Sequence, residues 1–169
     1  MKKKWLLSLV FLIVMIILMR YQGKSLESPM SPLGILDLEF ARTPERLHQL
    51  RLFWNPKDLF TNIYLDFLFI ISYVWFLVTI SLKIRKHSSL ERAGKWAVTM
   101  AFAAGFFDVL ENFLMIMIYQ GRFDSILLKM VFFLAVIKFA LIFLVLFFIV
   151  AAIPFLYFKK QKRSRIPKT

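Results

Sequence analysis

The sequence predicts an all-α polytopic membrane protein with four transmembrane helices and one short extracytoplasmic amphipathic helix. Three observations predict it. Four long apolar runs take up most of the 169 residues. The chain is 60% hydrophobic with 20 Phe, and its mean hydropathy is +0.69, well above the range of soluble domains. Its basic residues gather just outside the apolar runs, where they act as topology signals. No room is left for a separate soluble domain, so one membrane domain covers residues 1–169.

The first span covers about residues 5–20. Lys2, Lys3 and Lys4 precede it, a layout shared with secretory signal peptides. No Ala-x-Ala-like site follows, and Arg20-Tyr21-Gln22 is a poor cleavage region, which favours an uncleaved anchor. Residues 63–82 and 96–119 form the second and third spans, each near the roughly 20 residues that cross a hydrocarbon core. The fourth apolar run reaches Phe158, too far for one straight crossing. The span is therefore set at 126–153, with Pro154 expected to kink or end it.

Orientation follows from the charges. Lys2–Lys4, the 83–95 loop (Lys83, Arg85, Lys86, Arg92, Lys95) and the tail 159–169 carry the basic clusters on alternate sides of successive spans. They place both termini and that loop in the cytoplasm, and the protein in the cytoplasmic membrane. The 21–62 loop, counted from Arg20, holds six basic and five acidic residues and lies outside. Trp5, Trp96 and Tyr157 fall at the inner interface, and Tyr21, Trp54, Tyr64 and Tyr119 at the outer one.

Within the external loop, Pro29, Pro32 and Gly34 predict an irregular first half. Residues 34–41 alternate apolar and acidic side chains, so Asp37 and Glu39 would share a face of an extended segment. Thr43-Pro44-Glu45 is a helix start: an N-cap, proline at the first position, and an acid at the positive dipole end. Leu47, Leu50 and Trp54 then recur opposite Arg46, His48, Gln49 and Arg51, predicting an amphipathic helix on the outer membrane surface. It serves as a connector or as a lid over the outer mouth of the bundle. Asn55-Pro56 repeats the cap and starts the helix of the second span.

The chemistry concentrates inside the spans. Asp108, Glu111 and Asn112 share one helical face with Ala97, Ala101, Ala104, Gly105 and Met115. The small residues permit close helix approach, so this face points inward. Asn62, Asp66 and Tyr73 form a matching stripe on the second span. Lys129 and Lys138 fall on opposite faces of the fourth, so Lys138 faces inward. By depth, Asp108 and Lys138 sit near the midplane, with Glu111, Asn112 and then Asp66 nearer the outside. Together they would form a polar channel descending from the outer surface.

Each charge at the bilayer centre costs about 2.5–3.5 kcal/mol, so four unpaired would cost roughly 10 kcal/mol. Pairing falls short, because three acids face one deep lysine. At least one of Asp108 and Glu111 is therefore expected to carry a proton, unless a cation or rim charges compensate.

Three readings stay open. The first is a buried acidic/Lys site, open to the outside, that binds a small ligand, lipid headgroup, proton or cation. The second is a structural or partner-binding subunit held together by its charges. The third is a lipid-modifying enzyme using the acids for proton transfer, by analogy with sterol-isomerase-like four-span proteins. Against the enzyme, the sequence has no nucleophile–base pair, nucleotide loop or metal motif. No cysteine is present, and His48 and His87 stand alone, so no metal site or cofactor is expected. In the external loop Asp37, Glu39 and Glu45 could bind a cation, with Asp37 and Glu39 the candidate site residues, but they lack the spacing of a calcium loop. The net charge of +13 is accounted for by topology signals rather than by nucleic acid, and the tail would contact anionic headgroups.

An ordered set of short motifs carries a resemblance. Asp37-Leu-Glu-Phe-Ala41 with Thr43 and Glu45-Arg46, Leu65-Asp66-Phe67-Leu68-Phe69 and Asp108-Val-Leu-Glu111-Asn112 fit the patterns D/E-x-E-x-A, L-D-x-x-F and D-x-x-E-N, and Lys138-Phe139 matches the last two positions of V-K-F, with Ile137 in place of the valine. The chain resembles, from about residue 35 to 146, a group of small bacterial four-span inner-membrane proteins. The resemblance implies a bacterial membrane home and points to the same acids, without supplying a reaction.

Overall fold

The computed structural model describes residues 3–86, 88–121 and 125–164, with side chains as far as residue 154 except that of Ser88. The side chains of the basic tail, Tyr157, Lys2, His87 and most of the 120–125 loop fall outside that description. The described chain is all-α. Four helices are long and apolar enough to cross a membrane: α1 (Lys4–Gly23), α4 (Pro56–Arg85), α5 (Glu91–Tyr119) and α6 (Ser125–Ser164). Two short helices, α2 (Leu36–Glu39) and α3 (Pro44–Phe53), lie between α1 and α4.

Local sequence explains the helix starts. Thr43 accepts a hydrogen bond from the Arg46 amide at 3.3 Å, with Pro44 at the first position. Asn55 accepts from the Lys57 amide at 2.9 Å, with Pro56 behind it. Both are caps of the expected kind. At its other end, α6 continues through Pro154 instead of ending there. Proline removes one backbone hydrogen bond, and one lost bond does not stop a long helix.

The long helices pack in the order α1–α4–α5–α6, which is more open than a symmetric four-helix bundle. α1 lies mainly on α4 and buries only Ser8 and Met15, so most of its apolar surface is left for lipid. Its seam with α4 is marked at three levels. Lys83 Nζ lies 4.8 Å from the Trp5 ring centre, and the Phe11 and Trp75 rings are 6.2 Å apart. At the third level, Gln22 hydrogen-bonds the Asn62 side chain and the Asp58 carbonyl.

The α4–α5 seam depends on Gly105. A Cβ there would lie 2.6 Å from Val74 Cγ2. Val74 is β-branched and stiff in a helix, so it cannot swing clear. Gly105→Val is expected to cost about 1–3 kcal/mol, the usual range for overpacking. Thermal unfolding in detergent measures this, and Val74→Ala in the same chain is expected to recover most of the loss. Beside Gly105, an apolar surface groove of about 460 Å³ runs between α4 and α5, lined by Ile70, Val74, Val78, Phe102 and Val109.

At one end of the bundle, α2 and α3 form a plug. Leu38, Leu47, Leu50 and Trp54 are buried with Leu59 and Ile63 of α4, Met115 and Ile118 of α5, and Leu128 and Val131 of α6. The apolar stripe of α3 therefore faces the bundle end and not the membrane surface. The bundle offers a fully enclosed apolar site, whereas the interface offers only half-burial, and the former buries more apolar area. Of the two roles expected for this helix, the lid fits the packing.

Candidate functional site

Lys138 is the centre of the site. Its helix position is nine residues from Lys129, and the two do take opposite fates: Lys129 is exposed and Lys138 buried. Lys138 Nζ donates to Asp108 Oδ1 at 2.8 Å and to Glu111 Oε1 at 3.0 Å. It also lies 3.0 Å from Glu111 Oε2 and 3.3 Å from Glu39 Oε2. The second Asp108 oxygen accepts from the Tyr73 hydroxyl at 2.8 Å. One turn along α5, Asn112 Nδ2 donates to Asp66 Oδ2 at 2.6 Å. The six core residues picked from the sequence are thus drawn together from α4, α5 and α6.

Glu39 is the residue whose role the sequence did not show. Its alternating pattern pointed to an extended segment with Asp37 and Glu39 on one face. Residues 36–39 instead form a helical turn, where side chains two apart point about 200° from each other. The pair is split. Asp37 faces its own loop, accepting from Ser31 Oγ at 3.1 Å, the Leu33 amide at 2.9 Å and Arg46 at 3.0 Å. Glu39 faces the bundle and reaches Lys138.

The loop is built to hold Glu39 in place. Gly34 adopts a φ of +59°, a left-handed turn open to glycine, and its carbonyl accepts from the Asp37 amide. Arg46 of α3 ties Asp37 to the Met30 carbonyl at 2.8 Å. Trp54 Nε1 anchors the Leu26 carbonyl at 2.8 Å. On the membrane side, Phe40 contacts the rings of Phe132 and Phe139, and the Arg42 guanidinium sits 3.8 Å from the Phe132 ring centre. No periodicity in the sequence announces the Trp54–Leu26, Phe40–Phe132 and Arg42–Phe132 contacts, because each joins segments far apart in the chain.

The charge balance is unfavourable as it stands. One ammonium and four carboxylates (Glu39, Asp66, Asp108, Glu111) give 1 − 4 = −3 if all are ionised. Glu39, Asp108, Glu111 and Lys138 are at most 5% exposed, and Asp66 is half-buried. Lys138 has three N–H groups, yet four carboxylate oxygens crowd its nitrogen. Asp108 has a donor on each oxygen and is well served as an anion. Glu39 Oε2 and Glu111 Oε2 are buried with no hydrogen bond of their own. The sequence left Asp108 and Glu111 as equal candidates for a proton, and this geometry favours Glu111. Glu39 behaves accordingly: burial pushes its carboxyl above the usual range, Lys138 opposes this, and Asp108 adds to it.

One expectation about the site is corrected. It is not an open channel: the plug carrying Glu39 closes its loop end, because Glu39 gains an ammonium partner there and Leu38 a dry contact. The acids stand at different levels along their helices. Exposed large apolar residues on α5 run from Trp96 to Phe113. At 1.5 Å per residue, Asp108 is about 18 Å from the first and about 8 Å from the second. On α4, Asp66 is about 3 Å along the axis from Tyr64, the first exposed large apolar residue of that helix. Lys138 remains near the middle of its own span, and its long side chain meets the acids toward the loop end.

Comparison with protein-family models, curated proteins and solved structures finds no match to this chain.

Proposed function

We propose that this is a membrane binding protein whose Lys138 cluster takes up positive charge, as a proton or a cationic ligand, from the side that carries α2 and α3. The observation that carries the reading is the formal −3 balance of a five-residue charge cluster, four of whose members are buried and one, Asp66, half-buried. Buried charges must be paired, hydrated or neutralised, and a single ammonium cannot neutralise four carboxylates. The basic 83–95 loop marks the opposite side as cytoplasmic, so α2 and α3 face outward and both termini inward. The resemblance to small bacterial four-span proteins supports a home in a bacterial cytoplasmic membrane. There the basic tail 159–169 meets anionic headgroups, at about 1 kcal/mol per basic residue.

A structural reading has one observation in its favour: Lys138 ties α2, α5 and α6 together, and Tyr73 and Asn112 add α4. The two readings differ for Glu111→Gln. A purely structural network loses a member and weakens. A charge-accepting site loses part of its acid excess, so the variant is expected to accumulate and unfold like the parent.

Infrared spectroscopy of the protein in bilayers tests the reading directly. At neutral pH a protonated carboxyl band is expected, and Glu111→Gln is expected to diminish it. A missing band accompanied by a bound cation or amine in native mass spectrometry would assign the charge to that ligand. A missing band with nothing bound contradicts the reading.

A further inference from the structure

We propose that α2 docks into the bundle together with a proton shared between Glu39 and Glu111, and that loss of this proton releases the plug. The proposal rests on the charge-accepting reading above and names both the species taken up and the segment it controls.

The two carboxyl groups meet only through the fold. Glu111 belongs to α5 and Glu39 to the loop segment, and both point at Lys138 Nζ, at 3.0 and 3.3 Å. Each leaves an Oε2 buried without a hydrogen bond. Asp108 already holds the best of the ammonium, at 2.8 Å, and receives the Tyr73 hydroxyl as well. Two glutamate carboxylates therefore compete for what remains of one cation. A proton on one of them supplies the missing donor and removes one negative charge. A metal ion does not fit as readily, because Nζ already fills the middle of the cage. Among the described residues, no three acidic or histidine side chains are grouped to hold one.

The groups facing Glu39 set the direction of the effect. From α6 comes Lys138, which favours the anion. From α5 come Asp108, whose charge opposes it, and Glu111, whose carboxyl hydrogen-bonds to it and favours it. From α4, Tyr73 is bound to Asp108, and Asp66 is bound to Asn112. Asp37 is taken up by Arg46 in its own loop and does not compensate. Released into water, Glu39 would titrate as an ordinary carboxyl. Docked, it is more readily protonated, because burial is the largest influence on it. A group that binds protons more tightly when docked makes docking complete at low pH and weaker as pH rises through its docked value. The plug is thus expected to close on acidification and loosen toward alkaline pH.

The absence of cysteine allows a clean test. Ala41 is buried beside α2, and Leu52 is exposed on α3. Single cysteines at Ala41→Cys and Leu52→Cys, in separate chains, are labelled with a membrane-impermeant maleimide across mildly acidic to alkaline pH. The Leu52→Cys rate corrects for the thiol's own ionisation. The corrected Ala41→Cys rate is expected to rise with pH between the ordinary carboxyl range and the docked value, by up to roughly tenfold per pH unit, the slope of one coupled proton, and to level off above the docked value. Glu39→Gln keeps the shape and neutrality of the proposed docked form, so it is expected to fold, to label slowly and to show no slope. Glu111→Gln removes the other half of the shared pair and is expected to flatten the slope too. A flat corrected rate in the parent chain overturns the proposal. So does an unchanged slope in both variants, or a Glu39→Gln protein that fails to fold. If the infrared band is present while the corrected rate is flat, only the coupling to docking fails. If the band is missing as well, the charge-accepting reading fails with it.

Discussion

Lys138→Met is expected to lose about 3–5 kcal/mol, the usual penalty for breaking a buried ion pair from one side. Lys138 is the common partner of Asp108, Glu111 and Glu39. Methionine fills a similar volume and suits a helix, so packing and propensity change little. What changes is that three buried carboxyl groups lose their cation. They must then take up protons or draw in water, and α2 loses its charged anchor. The measurement is the yield and thermal midpoint of the detergent-purified protein, with Ala41→Cys labelling as a local readout of the plug. A double change separates charge from shape. Lys138→Met with Asp108→Asn removes the ammonium and the carboxylate it serves best, and is expected to recover a substantial part of the loss. Recovery of nothing would mean that Lys138 acts through packing alone.

Trp54→Ala is the second large effect, expected at about 3–5 kcal/mol for a buried tryptophan. The ring is 4% exposed in the plug core with Leu26, Leu47, Leu50 and Leu59. Its Nε1 also serves the Leu26 carbonyl at 2.8 Å. Alanine leaves both a cavity and an unpaired buried acceptor. The loss falls on one substructure, since α1, α5 and α6 touch this region only at their loop ends. The expected signature is therefore faster proteolysis within residues 24–55 and fast, pH-independent labelling at Ala41→Cys, while the long helices keep their helical circular dichroism. Trp54→Phe restores most of the volume without the hydrogen bond and is expected to fall between the two. Global loss of helix in Trp54→Ala would show that the plug is a foundation of the fold rather than a cover.

The parts of this molecule legible in the sequence are those written in short-range pattern. Thr43 and Asn55 announce α3 and α4 because a cap acts within three residues. The Ala97–Met115 stripe announces the buried face of α5 because helical periodicity needs only one helix. The inward turn of Lys138 follows from its spacing to Lys129. Other features are set by long-range partners. The place of α1 beside α4 rests on Trp5, Phe11 and Gln22 meeting Lys83, Trp75 and Asn62, and hydropathy alone does not rank these pairings. The burial of α3 depends on a hollow at the bundle end that exists only once α4, α5 and α6 are assembled.

Glu39 shows the limit most clearly. Its neighbours alternate as a strand would, and its acidity matches Asp37 two residues earlier. The turn at Gly34 and the brace from Arg46 send the two carboxyls in different directions. Charge counting in the sequence exposed an acid excess in the core, but the loop residue that enlarges it could be placed only by the fold. The same placement moves attention from Asp108, whose oxygens are both served, to Glu111 and Glu39, each of which leaves its Oε2 without a hydrogen bond.

The acid excess of the Lys138 cluster is met by one proton held on its glutamate pair. Carboxyl carbon-13 NMR of protein labelled at aspartate and glutamate, in bilayers and titrated with pH, reads this residue by residue, with Glu39→Gln, Glu111→Gln and Asp108→Asn giving the assignments. At neutral pH the Glu39 and Glu111 signals together are expected to account for one bound proton. Ionised signals from all four carboxyl groups, in protein carrying no bound cation, would contradict the account.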